Sequence, residues 1–202
     1  MKCALIIPAW VPEDIFSSKT AGSQINYWQP LGTLYVAAAL QQAGHEVRFY
    51  NGAFMEHDEI MAQVKEYGPE FVGLYSTAFG WEKAKKAAAD IKRNLGRVFV
   101  VVGGPYPVAL QEKCLEDCLE MDAVVTGEGE ITVVEMLAGL ESGSGLDGVE
   151  GVLSLFGAED TQEVNGIFAV GRILWQTERV GEHHEEAFCA RCCRPVVILK
   201  AF

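Results

Sequence analysis

The stretch Val98-Phe99-Val100-Val101-Val102-Gly103-Gly104-Pro105 decides the fold. Its five apolar residues, four of them β-branched, are too short a run for a helix and suit a strand buried on both faces. At the carboxyl end the chain turns on two glycines and then on Pro105 and Pro107. Glycine has no Cβ, so the backbone there can take positive φ and a ligand can lie against the main chain. In an open α/β sheet, ligands sit beyond the carboxyl ends of the strands. Gly-Gly-Pro alone is a turn more often than a site. Its weight comes from the other strand ends, which behave in the same way.

Working back towards the amino terminus, Phe71-Val72-Gly73-Leu74-Tyr75 is a third strand ending in Ser76-Thr77, with a helix expected from Trp81 to Leu95. Glu82 is placed to pair with Lys86 at i,i+4. Cys3 to Ile7 is the first strand and stops at Pro8. A long loop, Ala9 to Gln29, follows and carries Trp10, Phe16, Tyr27 and Trp28. Loops of this length tend to be functional. Pro30 opens a helix over Leu31 to Gln42, which Gly44 ends. His45 to Tyr50 alternates polar and apolar residues as an edge strand does and closes at Asn51-Gly52. A helix from Asp58 stops at Gly68-Pro69.

Forward of the central strand, a fourth helix is expected near Ala109 to Glu120 and a fifth strand over Asp122 to Val125. Thr126-Gly127-Glu128-Gly129-Glu130 and a helix from Ile131 to Leu140 complete the unit. Five strands alternating with five helices imply a Rossmann-like or flavodoxin-like α/β fold: a five-stranded parallel sheet, order 2-1-3-4-5, with helices on both faces. This unit is expected to occupy residues 1–142. An extension at 143–171 reads as a β-hairpin, Val149 to Leu155 against Val164 to Val170, and 172–202 as a tail.

Composition narrows the function. The 202 residues are half apolar and 22% charged, enough for one domain with a sizeable core. A formal charge of −12 argues against nucleic acid and against anionic membrane surfaces. No run approaches the roughly 18 apolar residues of a membrane-spanning helix, and the start lacks a signal peptide's features. A cytoplasmic protein is the expectation, with its six cysteines as thiols or metal ligands rather than disulfides.

The strand-end residues are small or hydroxylic, and no basic residue lies among them. A Walker-type phosphate cradle and the Gly-x-Gly-x-x-Gly dinucleotide fingerprint are both absent. The site therefore suits a large ligand that is neutral where it meets the strands. Two readings of such a site are a flavodoxin-like domain binding a nucleotide or flavin, and a structural or regulatory remnant with an empty pocket.

Four segments in order carry a resemblance. They are Pro30-Leu31-Gly32 opening a helix that ends Ala43-Gly44-His45-Glu46-Val47; Pro69 to Ser76; Val102-Gly103-Gly104-Pro105; and Asp122 to Glu130. Over about residues 1–155 the chain resembles the cobalamin-binding domain of cobalamin-dependent radical S-adenosylmethionine enzymes. The resemblance implies cobalamin held by Trp28, Gln29, Pro30, Leu31, Gly32, Ser76, Thr77, Gly103, Gly104, Pro105, Gly127, Glu128 and Gly129. The nucleotide tail would enter beside Ser76 and Gly103-Gly104, and the corrin ring would lie over the strand ends. Trp10 and Trp28 would shield the ring or merely cover the sheet end.

Two departures shape the expectation. Methyltransferases and mutases that ligate cobalt through Asp-x-His-x-x-Gly place the histidine where Gln29 stands here, and the acid where Tyr27 stands. With no histidine in that loop, base-off cobalamin is implied, its lower position left to water, Gln29 or Trp28. Radical chemistry needs Cys-x-x-x-Cys-x-x-Cys. Cys114 and Cys118 match the first spacing, but Met121 stands third, so they read as helix-packing thiols and no iron–sulfur motif is found. The module would carry the cofactor without catalytic residues of its own, alongside a radical S-adenosylmethionine domain or protein. In the tail, His183, His184, Cys189, Cys192 and Cys193 offer zinc-type ligands, but a disordered or non-native end is the preferred reading. His45 and His57 are expected at the surface, and Glu128 and Glu130 to favour the start of the last helix through its dipole.

Overall fold

The computed structural model describes residues 1–14, 17, 19, 30–146 and 148–154, together with the backbone at 161–164, 167–170, 186–188 and 195–197. The chain divides into two units, Met1–Ala169 and Val170–Phe202. The second contains β9 (Glu186–Phe188) and β10 (Pro195–Val197), paired antiparallel. The expectations for Trp28, Gln29, Tyr27, Phe16, His183, His184, Cys189, Cys192 and Cys193 concern positions outside the described residues.

In the first unit the elements run β1 (Lys2–Ile7), α1 (Leu31–Gln42), β2 (Glu46–Asn51), α2 (His57–Tyr67), β3 (Phe71–Tyr75), α3 (Trp81–Leu95), β4 (Phe99–Gly103), α4 (Pro105–Leu110), α5 (Glu112–Asp117), β5 (Ala123–Val125), α6 (Gly129–Ser142) and β6 (Val152–Ser154). The main sheet has six strands in the order β2-β1-β3-β4-β5-β6. The pairings among β1 to β5 are parallel, in the expected order, and β6 adds antiparallel to β5.

Three expectations need correction. Val152–Ser154 does not pair with 164–170. It extends the main sheet on β5, and the separate two-stranded sheet joins β7 (Thr161–Val164) to β8 (Ile167–Val170). The fourth helix is two short helices, α4 and α5, because Gln111 between them sits at φ 54°, where a helix cannot continue. Glu82 pairs with Lys85 at 2.9 Å rather than with Lys86, and Lys85 also reaches Asp117 at 3.0 Å.

Side-chain alternation along the strands gives the sheet two different faces. One carries Ala4, Ile6, Val72, Leu74, Val100, Val102 and Val124 into a continuous core. Ile60, Val64, Ala84, Ala88, Ile91, Cys114 and Leu115 from α2, α3 and α5 close it. Each fully buried Val, Ile or Leu contributes about 1.5–3 kcal/mol, so this face alone accounts for much of the stability. Cys114 and Cys118 are buried within it, as packing thiols should be. The opposite face carries Leu5, Phe71, Phe99, Val101, Ala123 and Val125, and α1 and α6 pack together over it.

His45 and His57 are not the surface residues expected. The His45 ring is 7% exposed, and its Nδ1 lies 3.3 Å from the Met1 amino group. His57 Nε2 lies 2.7 Å from Asp90 Oδ2, and Asp90 also pairs with Arg93. At the amino ends of β4 and β5, Asp122 is 1% exposed, accepts from the Val100 amide at 2.7 Å and pairs with Lys92.

A candidate ligand cleft beneath two glycine-lined strand ends

On the face covered by α1 and α6, the register sets side chains in rows across the sheet. Phe71 and Phe99 are paired across β3 and β4 and stack with centroids 6.3 Å apart. Two residues further on, Leu5 is level with Gly73, and Gly73 with Val101. Two further still, Tyr75 is level with Gly103. Glycine thus appears in two successive rows, in the middle of β3 and at the end of β4. From the Phe71 row to the Tyr75 row is four residues, about 13 Å of strand.

The result is a cleft of about 270 Å³ between sheet and helices. Its floor is Leu5, Phe71, Gly73 and Val101; its walls are Val36 of α1 and Val133 of α6. Gly32, Thr33, Tyr75, Gly103, Gly104 and the turn Gly127 to Glu130 surround the upper part.

Each glycine has its own geometric reason. A Cβ on Gly73 would sit 2.7 Å from Leu5 Cδ2, so the missing side chain is what keeps the floor low. A Cβ on Gly129 would lie 3.0 Å from Val36 Cγ2, so this glycine lets α6 approach α1 closely. Gly104 has φ +108° and ψ −179°, a conformation open to glycine alone. By contrast, a Cβ on Gly103 would find Val125 at an ordinary 3.8 Å. The turn at 126–129 is pinned from the chain leading into β6. Thr126 N–H donates to the Gly151 carbonyl at 2.8 Å, and Thr132 Oγ1 to that of Glu150 at 3.0 Å.

Among the described residues no lysine, arginine or histidine lines the cleft; Glu128 and Glu130 stand at its rim, in and just before the first turn of α6. Burial holds the Tyr75 phenol above its ordinary pKa, so it stays neutral. The chamber is apolar below and carries its few polar groups above. It can take an uncharged ring system, and none of the described residues in its depth would grip a phosphate.

Of the residues singled out in the sequence, Gly32, Gly103, Gly104, Gly127, Glu128 and Gly129 line this cleft together. Pro30, Leu31, Ser76, Thr77 and Pro105 are not among its lining residues. Ser76, 1% exposed, donates its hydroxyl to the Thr77 carbonyl at 3.0 Å, and Thr77 Oγ1 accepts from Gly80 N–H at 3.3 Å. Those hydroxyls shape the turn after β3. The floor residues Leu5, Phe71, Gly73 and Val101 were missed. The mid-strand glycine at 73 was the available signal, because glycine inside a strand marks a bulge or a close approach.

Around the sheet's carboxyl edge, large apolar side chains are exposed: Val11 beyond β1, Phe54 beyond β2, Phe79 beyond β3 and Ile131 beyond β5. Among the described residues no group of three or more His, Cys, Asp or Glu side chains could hold a metal ion. No helix there is long and apolar enough to cross a membrane.

Comparison with known proteins places this geometry. An uncharacterized methyltransferase of Pyrococcus horikoshii is 30% identical over 154 residues, 75% of this chain and 32% of that protein. The hopanoid C-3 methylase of Methylococcus capsulatus is 30% identical over 133 residues, 64% of this chain and 25% of the methylase. The chain therefore spans about a third or less of these relatives' length. The cobalamin-dependent S-adenosylmethionine radical enzyme OxsB, in a structure with aqua-cobalamin and S-adenosylmethionine bound, superposes with a TM-score of 0.64 at 18% identity. That match covers 77% of this chain and 21% of OxsB, and it shares the fold. The family model for the B12 binding domain matches residues 21–137, more than half of the chain. An α/β sheet with an apolar cleft under its carboxyl edge, matched over that span, belongs to the B12 binding domain family.

Proposed function

We propose that the chain is the cobalamin-carrying module of a radical S-adenosylmethionine methyltransferase-type enzyme, and that the cleft takes the cofactor's nucleotide tail. The observation that carries this is the low floor at Gly73, which a single Cβ would obstruct. Size divides the ligand. A chamber of about 270 Å³ lies below the roughly 300–1,000 Å³ of pockets that engulf drug-sized molecules. It can admit a base and part of its sugar, while the corrin ring stays outside over the strand ends. There Val11, Leu31, Phe54, Phe79 and Ile131 offer apolar surface to the ring, or to the radical domain working above it.

The cofactor would be bound base-off, with no imidazole from the described residues beneath cobalt. Residues 1–44 contain no histidine. His45 is engaged with the Met1 amino group and His57 with Asp90. Bound cobalamin supplies a cobalt centre able to carry a methyl group; the residues described here hold it and shield its tail. A cytoplasmic setting fits this role.

Titration of the purified chain with hydroxocobalamin, followed by visible absorption, tests the reading, with flavin mononucleotide as the comparison. Saturable corrinoid binding without flavin binding is expected; flavin binding alone would overturn it. Electron paramagnetic resonance of the cob(II)alamin complex should show single cobalt hyperfine lines. Lines split into triplets would reveal an axial nitrogen, from a histidine or from the cofactor's own base, and refute the assignment of no nitrogen beneath cobalt.

A further inference from the structure

We propose that the cleft selects among corrinoids by their lower base, accepting benzimidazole or phenol types and disfavouring purines; this rests on the cobalamin reading above. The depth of the cleft has no hydrogen-bonding group to spare among the described residues. Its floor and walls are Leu5, Val36, Phe71, Gly73, Val101 and Val133. β1, β3 and β4 are interior strands, each paired on both sides, so their amides and carbonyls serve the sheet. Val36 and Val133 lie beyond the first turns of α1 and α6, where backbone groups bond within the helix. Polar atoms gather only towards the opening, at Thr33, Tyr75, Glu128 and Glu130.

A dimethylbenzimidazole released from cobalt brings one ring acceptor and two methyl groups to such a chamber. A cresol brings no ring nitrogen at all. Adenine brings several ring acceptors and an exocyclic amine, and each polar group left unpartnered on burial costs about five- to a hundredfold in binding. Each methyl group buried instead gains about fourfold. Adenine is also the weaker cobalt ligand, so releasing it from the metal is easier. A preference for cobalamin over an adenine-bearing corrinoid would therefore arise in the cleft and not at the metal.

The test is a binding series on the full chain, read by visible absorption and equilibrium dialysis. The ligands are cobalamin, its adenine-bearing and cresol-bearing analogues, and cobinamide, which ends before the nucleotide. Cobalamin and the cresol analogue should bind within a fewfold of each other, and the adenine analogue about ten- to a hundredfold more weakly. Adenine-analogue binding within threefold of cobalamin would overturn the proposal. Equal binding of all four, cobinamide included, would overturn it too and would remove the tail from the cleft while leaving corrinoid binding intact. Binding of none would refute the cobalamin reading itself. In Gly73→Ala, the new Cβ rises from the floor and, at 2.7 Å from Leu5 Cδ2, forces the end of that side chain to shift. Cobalamin affinity should fall at least tenfold with cobinamide affinity and melting temperature unchanged. An equal loss for both ligands, or for neither, would refute the role of the floor.

Discussion

The adjacent glycines at the end of β4 should respond to the same substitution in opposite ways. Gly104→Ala forces a side chain into φ +108°, ψ −179° and sets its Cβ 2.6 Å from the Ser76 carbonyl oxygen and 3.0 Å from the Tyr75 ring. Strain of that class costs about 1–3 kcal/mol. The contact adds to it, because a backbone oxygen cannot swing away as a side-chain terminus can. That carbonyl also accepts from Tyr106 N–H at 3.4 Å, so moving it disturbs the start of α4. A loss of about 3 kcal/mol is expected. For a chain of this size that lowers the melting temperature by about 6–12 °C.

Gly103→Ala has neither problem. Its Cβ meets Val125 at 3.8 Å, and its φ lies outside the left-handed region. Replacing glycine by alanine at an unstrained position stabilises by about 0.4–1 kcal/mol through the unfolded chain. The new methyl group, however, projects into the upper part of the cleft, so cobalamin affinity should fall several-fold while stability holds or rises. Urea denaturation measures the first quantity and corrinoid titration the second. The reasoning fails if Gly104→Ala melts within about 2 °C of the parent, or if Gly103→Ala loses stability to the same degree. It also makes Gly104→Val a poor probe of binding, since its first effect would be on folding.

Two further outcomes follow from groups away from the cleft. Lys92→Met leaves the buried Asp122 carboxylate without its cation, and breaking a buried pair from one side costs about 3–5 kcal/mol. Because the pair lies at the amino ends of β4 and β5, cobalamin affinity in the folded variant should stay within about threefold of the parent's. A larger affinity loss would show that the two ends of the sheet are coupled. The Trp81 indole N–H, at 2.6 Å, and Lys85 hold the Asp117 carboxyl below its ordinary value. A depressed folded pKa means that the folded state releases this proton more readily than the unfolded chain. The contribution is thus complete above about pH 4 and is lost as pH falls through the folded value. In Asp117→Asn the acid limb of the stability curve below about pH 4 should flatten; an unchanged limb would refute the pairing.

The order of the first five strands was legible because each carries its own punctuation. Pro8, Gly68-Pro69 and Gly103-Gly104-Pro105 mark boundaries that no helix crosses, and the apolar runs between them are too short for anything but strands. What escaped depends on partners distant in sequence. Val152–Ser154 joins β5 because Thr126 and Thr132 hold 150–151 beside the turn before α6. No local pattern in three residues announces that. Lys85 takes Glu82 because Asp117, 32 residues away, draws it to that side of α3. His45 looked like a surface residue until the Met1 amino group came to lie beside it.

The candidate site was half visible for a related reason. Strand-end glycines can be read from sequence because turns need them, whether or not a ligand does. The floor could not, because Leu5, Phe71 and Val101 are ordinary core residues in composition, and only register turns them into a cavity. The same valine-rich β4 feeds both faces: Val100 and Val102 fill the core against α3 and α5, while Val101 faces an opening. The difference lies in the neighbour. On the filled face Val72 and Leu74 flank them with full side chains; on the other, Gly73 stands level with Val101 and contributes none. One strand position thus separates a layer that stabilises the fold from a layer kept open for a ligand. Substitutions at Val100 or Val102 should therefore register in stability, and those at Gly73 or Gly103 in affinity.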